Sequence, residues 1–347
     1  MRWYGTLIAG LAMAVASSSH VAAQDKYTLN EGDNWELTDS PEPGTPGGQL
    51  AAARRALAEG NPREAVRLAS IWLERFERNP LVPEAYMTRA DALFQQKEYY
   101  ESLFDYELVA REYHDSNVFS AALERELDIA TLFANGTLRK KWGMRIFSAK
   151  DEAEELLIRI QERVPGSALA ETAGMELADF YFRERRMLLA TDAYALFLVN
   201  YPRSDQIRKA RRRLIYSRLA TYRGPAFDGS GLDDSRMELQ QLALTDPVEA
   251  QRMGADAIIT RIDESEARKL LSVAEWYLDT GDPIAAEYEI RRLVKRYPQT
   301  AACIIALERV VPRFVPLLPA AIREVAPDYA ALQEAILGRV VGLGESE

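Results

Sequence analysis

From Gln49 to about Pro312 apolar residues recur at helical spacing, with polar residues filling the faces between them. The helices this predicts are separated by turns built alike. Tyr201-Pro202-Arg203-Ser204 reads as a helix end, a turn and a helix start, with Ala210 nine residues after the tyrosine. The frame recurs at Phe76/Asn79/Ala85, Tyr113/Ser116/Ala122, Val164/Ser167/Ala173 and Tyr297/Thr300/Ala306. Each copy has Asn, Ser or Thr at the third place after its apolar residue, and such a side chain is expected to cap the next helix by accepting from an orphan amide.

A second spacing runs through the same segments. Ala53 and Ala65, Ala90 and Ser102, Ala178 and Ala190, and Ala274 and Ala286 are each twelve apart with a turn between. Small residues there let the two helices of a hairpin approach closely. Bulky residues, among them Leu93, Phe94, Tyr106, Tyr181, Tyr194, Phe197, Trp276, Tyr277, Ile290 and Leu293, are expected around them. Small positions flanked by aromatics at these intervals resemble the tetratricopeptide repeat. The fold expected is an all-α tetratricopeptide-repeat α-solenoid of about six helical hairpins over 48–311, with a C-terminal capping helix and tail over 312–347.

The intervals locate insertions. Phe76 to Tyr113 and Val164 to Tyr201 are each 37 residues, whereas Tyr113 to Val164 is 51 and Tyr201 to Tyr297 is 96. The first insertion holds Asn135-Gly136, a helix stop, then the loop Leu138 to Phe147. The second holds Tyr222-Arg223-Gly224-Pro225, a helix over about Leu232 to Leu244, and Asp246-Pro247 as the start of another. That helix is expected to run, whole or gently broken near Gly254, from Val248 to Asp279. Gly281-Asp282-Pro283 is the next turn. Pro316, Pro319 and Pro327 prevent a further hairpin, so the apolar residues Leu317 to Val341 form either a cap over the last open face or a partner-binding helix.

The N-terminus differs. Arg2, the apolar run Leu7 to Val15 and Val21-Ala22-Ala23 predict a secretory signal peptide over 1–23. Residues 24–47 are an acidic, Pro/Gly-rich linker, whose proline–glycine run is expected to stop any helix from entering it. Trp35 within it is open to docking or to plain exposure. The protein is thus expected to be exported.

Charge and chemistry exclude more than they assign. The net charge is −10, against general nucleic-acid binding. The one cysteine is Cys303, so no internal disulfide forms. His114 is the one histidine after position 20, and it falls in a repeat turn. No Walker A lysine, HExxH or CxxC occurs. Asp228 to Asp233 is no calcium loop, because Gly224 and Ala226 would stand at ligand positions. No enzyme and no cofactor are expected. Two basic clusters stand out instead. Arg208, Arg211 and Arg212 share one helix face, where like charges repel, so acidic side chains of the next hairpin or an acidic partner should offset them. Arg139, Lys140, Lys141 and Trp142 lie on the first insertion, as a contact for a partner or anionic membrane, or as a solvated loop. Tyr86, Arg89 and Leu93, on the first helix of a hairpin, are candidates for a groove that takes an extended peptide.

With its export signal, Tyr-Pro-x-Ser turns and Tyr222-Arg223-Gly224-Pro225 insertion, the stretch from about 48 to 312 resembles the outer-membrane β-barrel assembly lipoproteins of the BamD or ComL type. The resemblance implies a non-enzymatic scaffold in the periplasm, at the inner face of the outer membrane. It would hold unfolded outer-membrane proteins in its N-terminal repeats and an Omp85-type insertase on its C-terminal ones. In that family the secreted chain begins with a lipidated cysteine. Here Val21-Ala22-Ala23-Gln24 stands in that place, so attachment through a partner is expected. An envelope scaffold that coordinates cell-wall synthesis or division is the alternative. Such proteins begin with a coiled coil, for which 24–47 has no heptads.

Overall fold

The structure is a computed structural model that describes residues 42–343, apart from 142, 143, 226, 228 and 325, together with 27–29 and 35–37. It divides into two compact units, residues 1–105 and 106–347. The proposed signal peptide lies outside the described residues.

The first unit holds β1 (Tyr27–Leu29), β2 (Trp35–Leu37), α1 (Pro46–Ala58), α2 (Pro62–Arg75), α3 (Val82–Gln95) and the start of α4 (Tyr99–Glu112). β1 and β2 pair antiparallel, with Tyr27 opposite Leu37 and Leu29 opposite Trp35. The stretch read as a structureless linker therefore carries a strand pair, made of residue types that favour extended backbone. The side chain of Trp35 lies outside the described residues. Helix α1 also starts earlier than the expected 48. Pro46 does not stop the helix but opens it, with Thr45 as N-cap accepting from the Gly48 amide at 3.1 Å. Proline suits that place because its missing N–H would be unsatisfied there anyway. Trp72 of α2 is wholly buried and donates its indole N–H to the Pro46 carbonyl at 2.7 Å, which ties the two helices together.

The second unit continues with α5 (Phe119–Ala134), β3 (Arg139–Lys141), β4 (Met144–Phe147), α6 (Lys150–Arg163), α7 (Ala168–Arg183), α8 (Met187–Asn200), α9 (Ile207–Thr221), α10 (Ser230–Thr245), α11 (Pro247–Met253), α12 (Ala255–Asp279) and α13 (Pro283–Arg296). It ends with α14 (Ala301–Ile305), a π turn (Ala306–Val310), α15 (Val311–Phe314), a 3-10 turn (Val315–Leu317), α16 (Ala320–Arg323) and α17 (Tyr329–Leu337). Among the described residues six helical hairpins follow one another: α1/α2, α3/α4, α5/α6, α7/α8, α9/α10 and α12/α13. The fold is an all-α tetratricopeptide-repeat array with two short strand pairs.

Both spacings read from the sequence have a physical basis. The eight residues of the twelve-apart pairs all have zero exposure, as do the five alanines that close the turn frame. In each frame the third residue donates its amide to the carbonyl of the first, as Ser204 does to Tyr201 at 3.1 Å and Ser167 to Val164 at 3.2 Å. Capping is a different matter. Ser167 and Thr300 cap α7 and α14 through their hydroxyls. Asn79, Ser116 and Ser204 are followed by a second turn, closed by the amides of Val82, Phe119 and Ile207, so the next helix starts two residues later than a cap requires. Five of the six hairpin turns share one closure. At Gly60, Gly136 and Gly281 the backbone is left-handed, and Lys97 and Arg185 occupy the same conformation without being glycine, at φ 62° and 59°.

The first insertion is not a loop. β3 and β4 form an antiparallel hairpin with a register shift after Arg139. In the second insertion α10 and the Asp246 cap match expectation, since Asp246 accepts from the Glu249 amide at 3.1 Å. The helix favoured from Val248 to Asp279 breaks at Gly254, which is left-handed at φ 68° and ends α11. Trp276 is also placed differently. Two residues beyond Ala274, it leaves the close-packed face and is 59% exposed.

Pro312 does not end the last helix. The chain passes through it by widening to a π turn, in which the Val311 amide donates to Ala306 rather than to Leu307. The Leu307 carbonyl would then look to residue 312, and proline has no N–H. Gln333 of α17, itself fully buried, donates to that carbonyl at 2.7 Å and exchanges two further bonds with the backbone of Val341, both at 3.0 Å. Phe314, Leu318 and Tyr329 close the core beneath it, and the Tyr329 hydroxyl donates to Glu287 at 3.0 Å.

Candidate interaction surfaces

Arg89 lies on α3, and its guanidinium is held in a fork by Asp105, at 2.7 and 2.6 Å. Those hydrogen bonds raise its pKa, and its Cζ lies 5.3 Å from the Tyr86 ring centroid. Arg89 is therefore engaged within its own unit, and Tyr86 and Leu93, both half-buried, are the parts of this set left to meet a ligand.

On the first insertion Arg139 pairs with Glu152 of α6, and Lys140 is likewise engaged. The side chain of Lys141 and the whole of Trp142 lie outside the described residues. Met144, at the start of β4, is exposed.

The basic face of α9 is neutralised in part within the fold. Arg212 meets Glu249 at 3.2 Å, Lys209 meets Asp179 at 2.5 Å, and the Arg213 guanidinium sits 4.3 Å above the Phe182 ring. Among the described residues, Arg212 alone of the three arginines at i, i+3 and i+4 has an acidic partner, and Lys209 finds its own on the preceding hairpin. Arg208 and Arg211 stay exposed, with no ion pair among the described residues. The structure thus splits Arg208, Arg211 and Arg212 into one structural and two outward-facing cations.

Three features escaped the sequence reading. The first is a buried polar joint. Arg163 of α6 bonds Glu107 of α4 at 2.6 Å and Glu126 of α5 at 3.1 Å, and Arg159 adds a contact to Glu107 at 2.8 Å. Glu126 has zero exposure, and burial pushes its carboxyl up to about 8 against the pull of Arg163. The two arginines favour the charged form of Glu107 and hold its pKa below the usual range despite burial. Burial thus favours the protonated form of Glu126, and the two arginines the charged form of Glu107. Only the spacing Arg159/Arg163 hinted at this.

The second is α8. In α2 and α6, the second helices of two other hairpins, charged residues dominate the outer face. In α8 the one charged residue is Asp192. Leu188, Leu196 and Val199 are 66%, 56% and 76% exposed, and with Asp192 and Leu189 they share one face. Beside its first turns lies a groove of about 860 Å³ lined by Leu188, Leu189, Arg185, Arg218, Arg223 and Phe227, among others. The signal was present in the sequence, since Met187–Asn200 is apolar all round.

The third is the α12/α13 hairpin, which exposes Trp276 on one arm and Ile284 and Tyr288 on the other. Arg292 lies 5.7 Å from the Tyr288 ring centroid. Aromatic and arginine side chains of this kind are enriched among residues that anchor protein interfaces. Among the described residues no group of three or more His, Cys, Asp or Glu is placed to hold a metal ion, and no helix is long and apolar enough to cross a membrane.

The surfaces of α8, α9, α12 and α13 all lie in one continuous stretch that matches a known family. That family, YfiO, is described as outer membrane lipoprotein, and it matches residues 147–324, just over half of the chain. The chain belongs to the YfiO family. The match begins at the last residue of β4 and runs through α16, later at both ends than the 48–312 over which the resemblance was expected. The YfiO-family region thus includes the second insertion and the π turn. Among solved structures, a tetratricopeptide repeat protein from Parabacteroides merdae ATCC 43184 aligns at 13% identity and a TM-score of 0.36, covering 72% of this chain and 93% of that one. The tetratricopeptide domain of P58(IPK) aligns at 17% identity and a TM-score of 0.27, covering 84% and 83%. No curated protein matches.

Proposed function

We propose that the protein is a non-enzymatic scaffold for outer-membrane protein assembly in the periplasm, holding unfolded outer-membrane proteins and docking on an Omp85-type insertase. The observation that carries this reading is membership of a family described as outer membrane lipoprotein, over the region that contains the exposed surfaces. The α12/α13 hairpin is the proposed insertase contact. Trp276 and Tyr288 supply the large rigid area that such an interface concentrates its energy in, with Arg292 as the adjoining cation. Tyr86 and Leu93 are the proposed client contacts, with Arg89 orienting Tyr86 from its fork with Asp105. Scaffolding of cell-wall synthesis or division is the competing role.

The test is affinity purification of the tagged full chain from solubilised envelopes. An Omp85-type protein should co-purify, and Trp276→Ala with Tyr288→Ala should reduce its recovery. Recovery of peptidoglycan or division proteins alone would sink the reading.

A further inference from the structure

The outer face of α8 lacks a partner within the fold. At the same place α2 and α6 present mostly charge to water, whereas α8 presents Leu188, Leu196 and Val199. Its ends are framed by cations. Arg185 and Arg223 line the groove at its first turns, and Arg211 lines a smaller pocket with Leu198 and Glu238 near its last. These three arginines have no ion pair among the described residues, in a chain whose net charge is −10. Arg185 also stands in a left-handed turn position that three other hairpins give to glycine.

We propose that the outer face of α8, with Arg185, Arg211 and Arg223 around it, is a peripheral docking surface for an anionic lipid bilayer. The shape favours a bilayer over a peptide. A peptide in the groove covers Leu188 and Phe227, but Leu196 and Val199 are not part of its lining and would stay bare. A flat surface of headgroups and acyl chains covers all of them. Apolar side chains enter the interface while cations at both helix ends meet lipid phosphates. Asp192, in the middle of the face, limits the depth of entry. The acids Asp205, Asp234 and Glu238 are also nearby in sequence or on the pocket walls, while Arg203 and Arg208, both exposed, follow α8 in sequence, so attraction rests on a modest excess of arginine, five against these three and Asp192. Cys303, the one cysteine, is wholly buried, and burial pushes its thiol up to about 11, so it offers no acylation site in the folded chain. The proposal is independent of the scaffold reading, which concerns α3, α12 and α13.

The test is partition of the full chain onto vesicles of phosphatidylcholine with and without phosphatidylglycerol, at low and high salt. Binding should require phosphatidylglycerol and weaken with salt. Leu188→Gln with Leu196→Gln should abolish it with no loss of thermal stability, since both side chains are exposed. Replacing Arg223 by Gln should weaken it about five-fold at low salt. Asp192→Asn should strengthen it. Arg185→Gly is the sharpest arm, because it relieves the left-handed backbone and should raise Tm while lowering binding. Equal partition onto both vesicles, or unchanged binding by the α8 double variant, overturns the proposal. So does an α8-dependent dimer in light scattering without vesicle binding, which would assign the face to a second copy.

Discussion

Gln333 decides more at the residue scale than its neighbours do. It supplies the donor that Pro312 cannot, to a carbonyl with no other route to water. Gln333→Leu should therefore destabilise the protein by about 1–3 kcal/mol, the range for a buried polar group left unpaired. Pro312→Ala restores an N–H within reach of the same carbonyl. On that background Gln333→Leu should cost less, and a double-mutant cycle read by urea unfolding should show the coupling. Glu126 is the second such residue. Its pKa is raised on folding, from 4.5 to about 8, so the folded state binds its proton more tightly. The stability it contributes is fully present below about 4.5 and is lost as pH rises through about 8. Glu107 acts with the opposite sign and at lower pH, since its pKa is depressed. Unfolding midpoints of the wild type relative to Glu126→Gln should thus fall between pH 5.5 and 8.5, while a flat difference would show that Glu126 is already charged when folded.

At the scale of elements, the turns decide what was legible. The small residues were, because a close helix approach admits nothing larger, and Ala53, Ala65, Ala178 and Ala190 all proved wholly buried. Capping was not, because Asn, Ser and Thr serve a turn as well as a helix start. Asn79 accepts from the Leu81 amide at 2.9 Å, inside a turn, and the helix begins beyond it. The β3/β4 pair was missed because Arg139-Lys140-Lys141 reads as a charge run. Left-handed positions were legible only at glycine, so Lys97 and Arg185 were invisible. Lys97→Gly should stabilise by about 1 kcal/mol, the cost of a left-handed side chain. Gly254→Ala should destabilise by a similar ~1 kcal/mol, although an added Cβ meets nothing within 4 Å. Thermal melts of both check that backbone conformation, not crowding, sets the sign. Of the candidate site residues, Arg89 and Arg212 were recognisable as charges but not as paired ones. Their partners Asp105 and Glu249 stand 16 and 37 residues away, and no local pattern joins them.

For the whole molecule, the division at 105/106 falls inside α4. A cut before Tyr99 leaves α4 intact and keeps Glu107 with Glu126 and Arg163. In repeat proteins stability is a sum over repeats and their nearest neighbours. Residues 99–347 should therefore fold alone, with a cooperative melt in circular dichroism. A cut at 113, which removes Glu107 and leaves Arg159 and Arg163 without their shared carboxylate, should lower the melting midpoint relative to the longer fragment. An equal midpoint would show that the joint adds nothing to the second unit.

The π turn has one more consequence. A chain of stacked hairpins resembles a growing polymer, in that each added unit exposes a fresh end able to receive the next. Growth stops only when an end becomes unreactive. Pro312 makes this end so, because it leaves a carbonyl that a side chain from α17 must reach back to saturate, and Gln333 cannot do that while another hairpin occupies its place. The length of the array is thus written into one imino acid and one amide. Grafting this pair, with α17, onto the open end of another repeat array should terminate it in the same way.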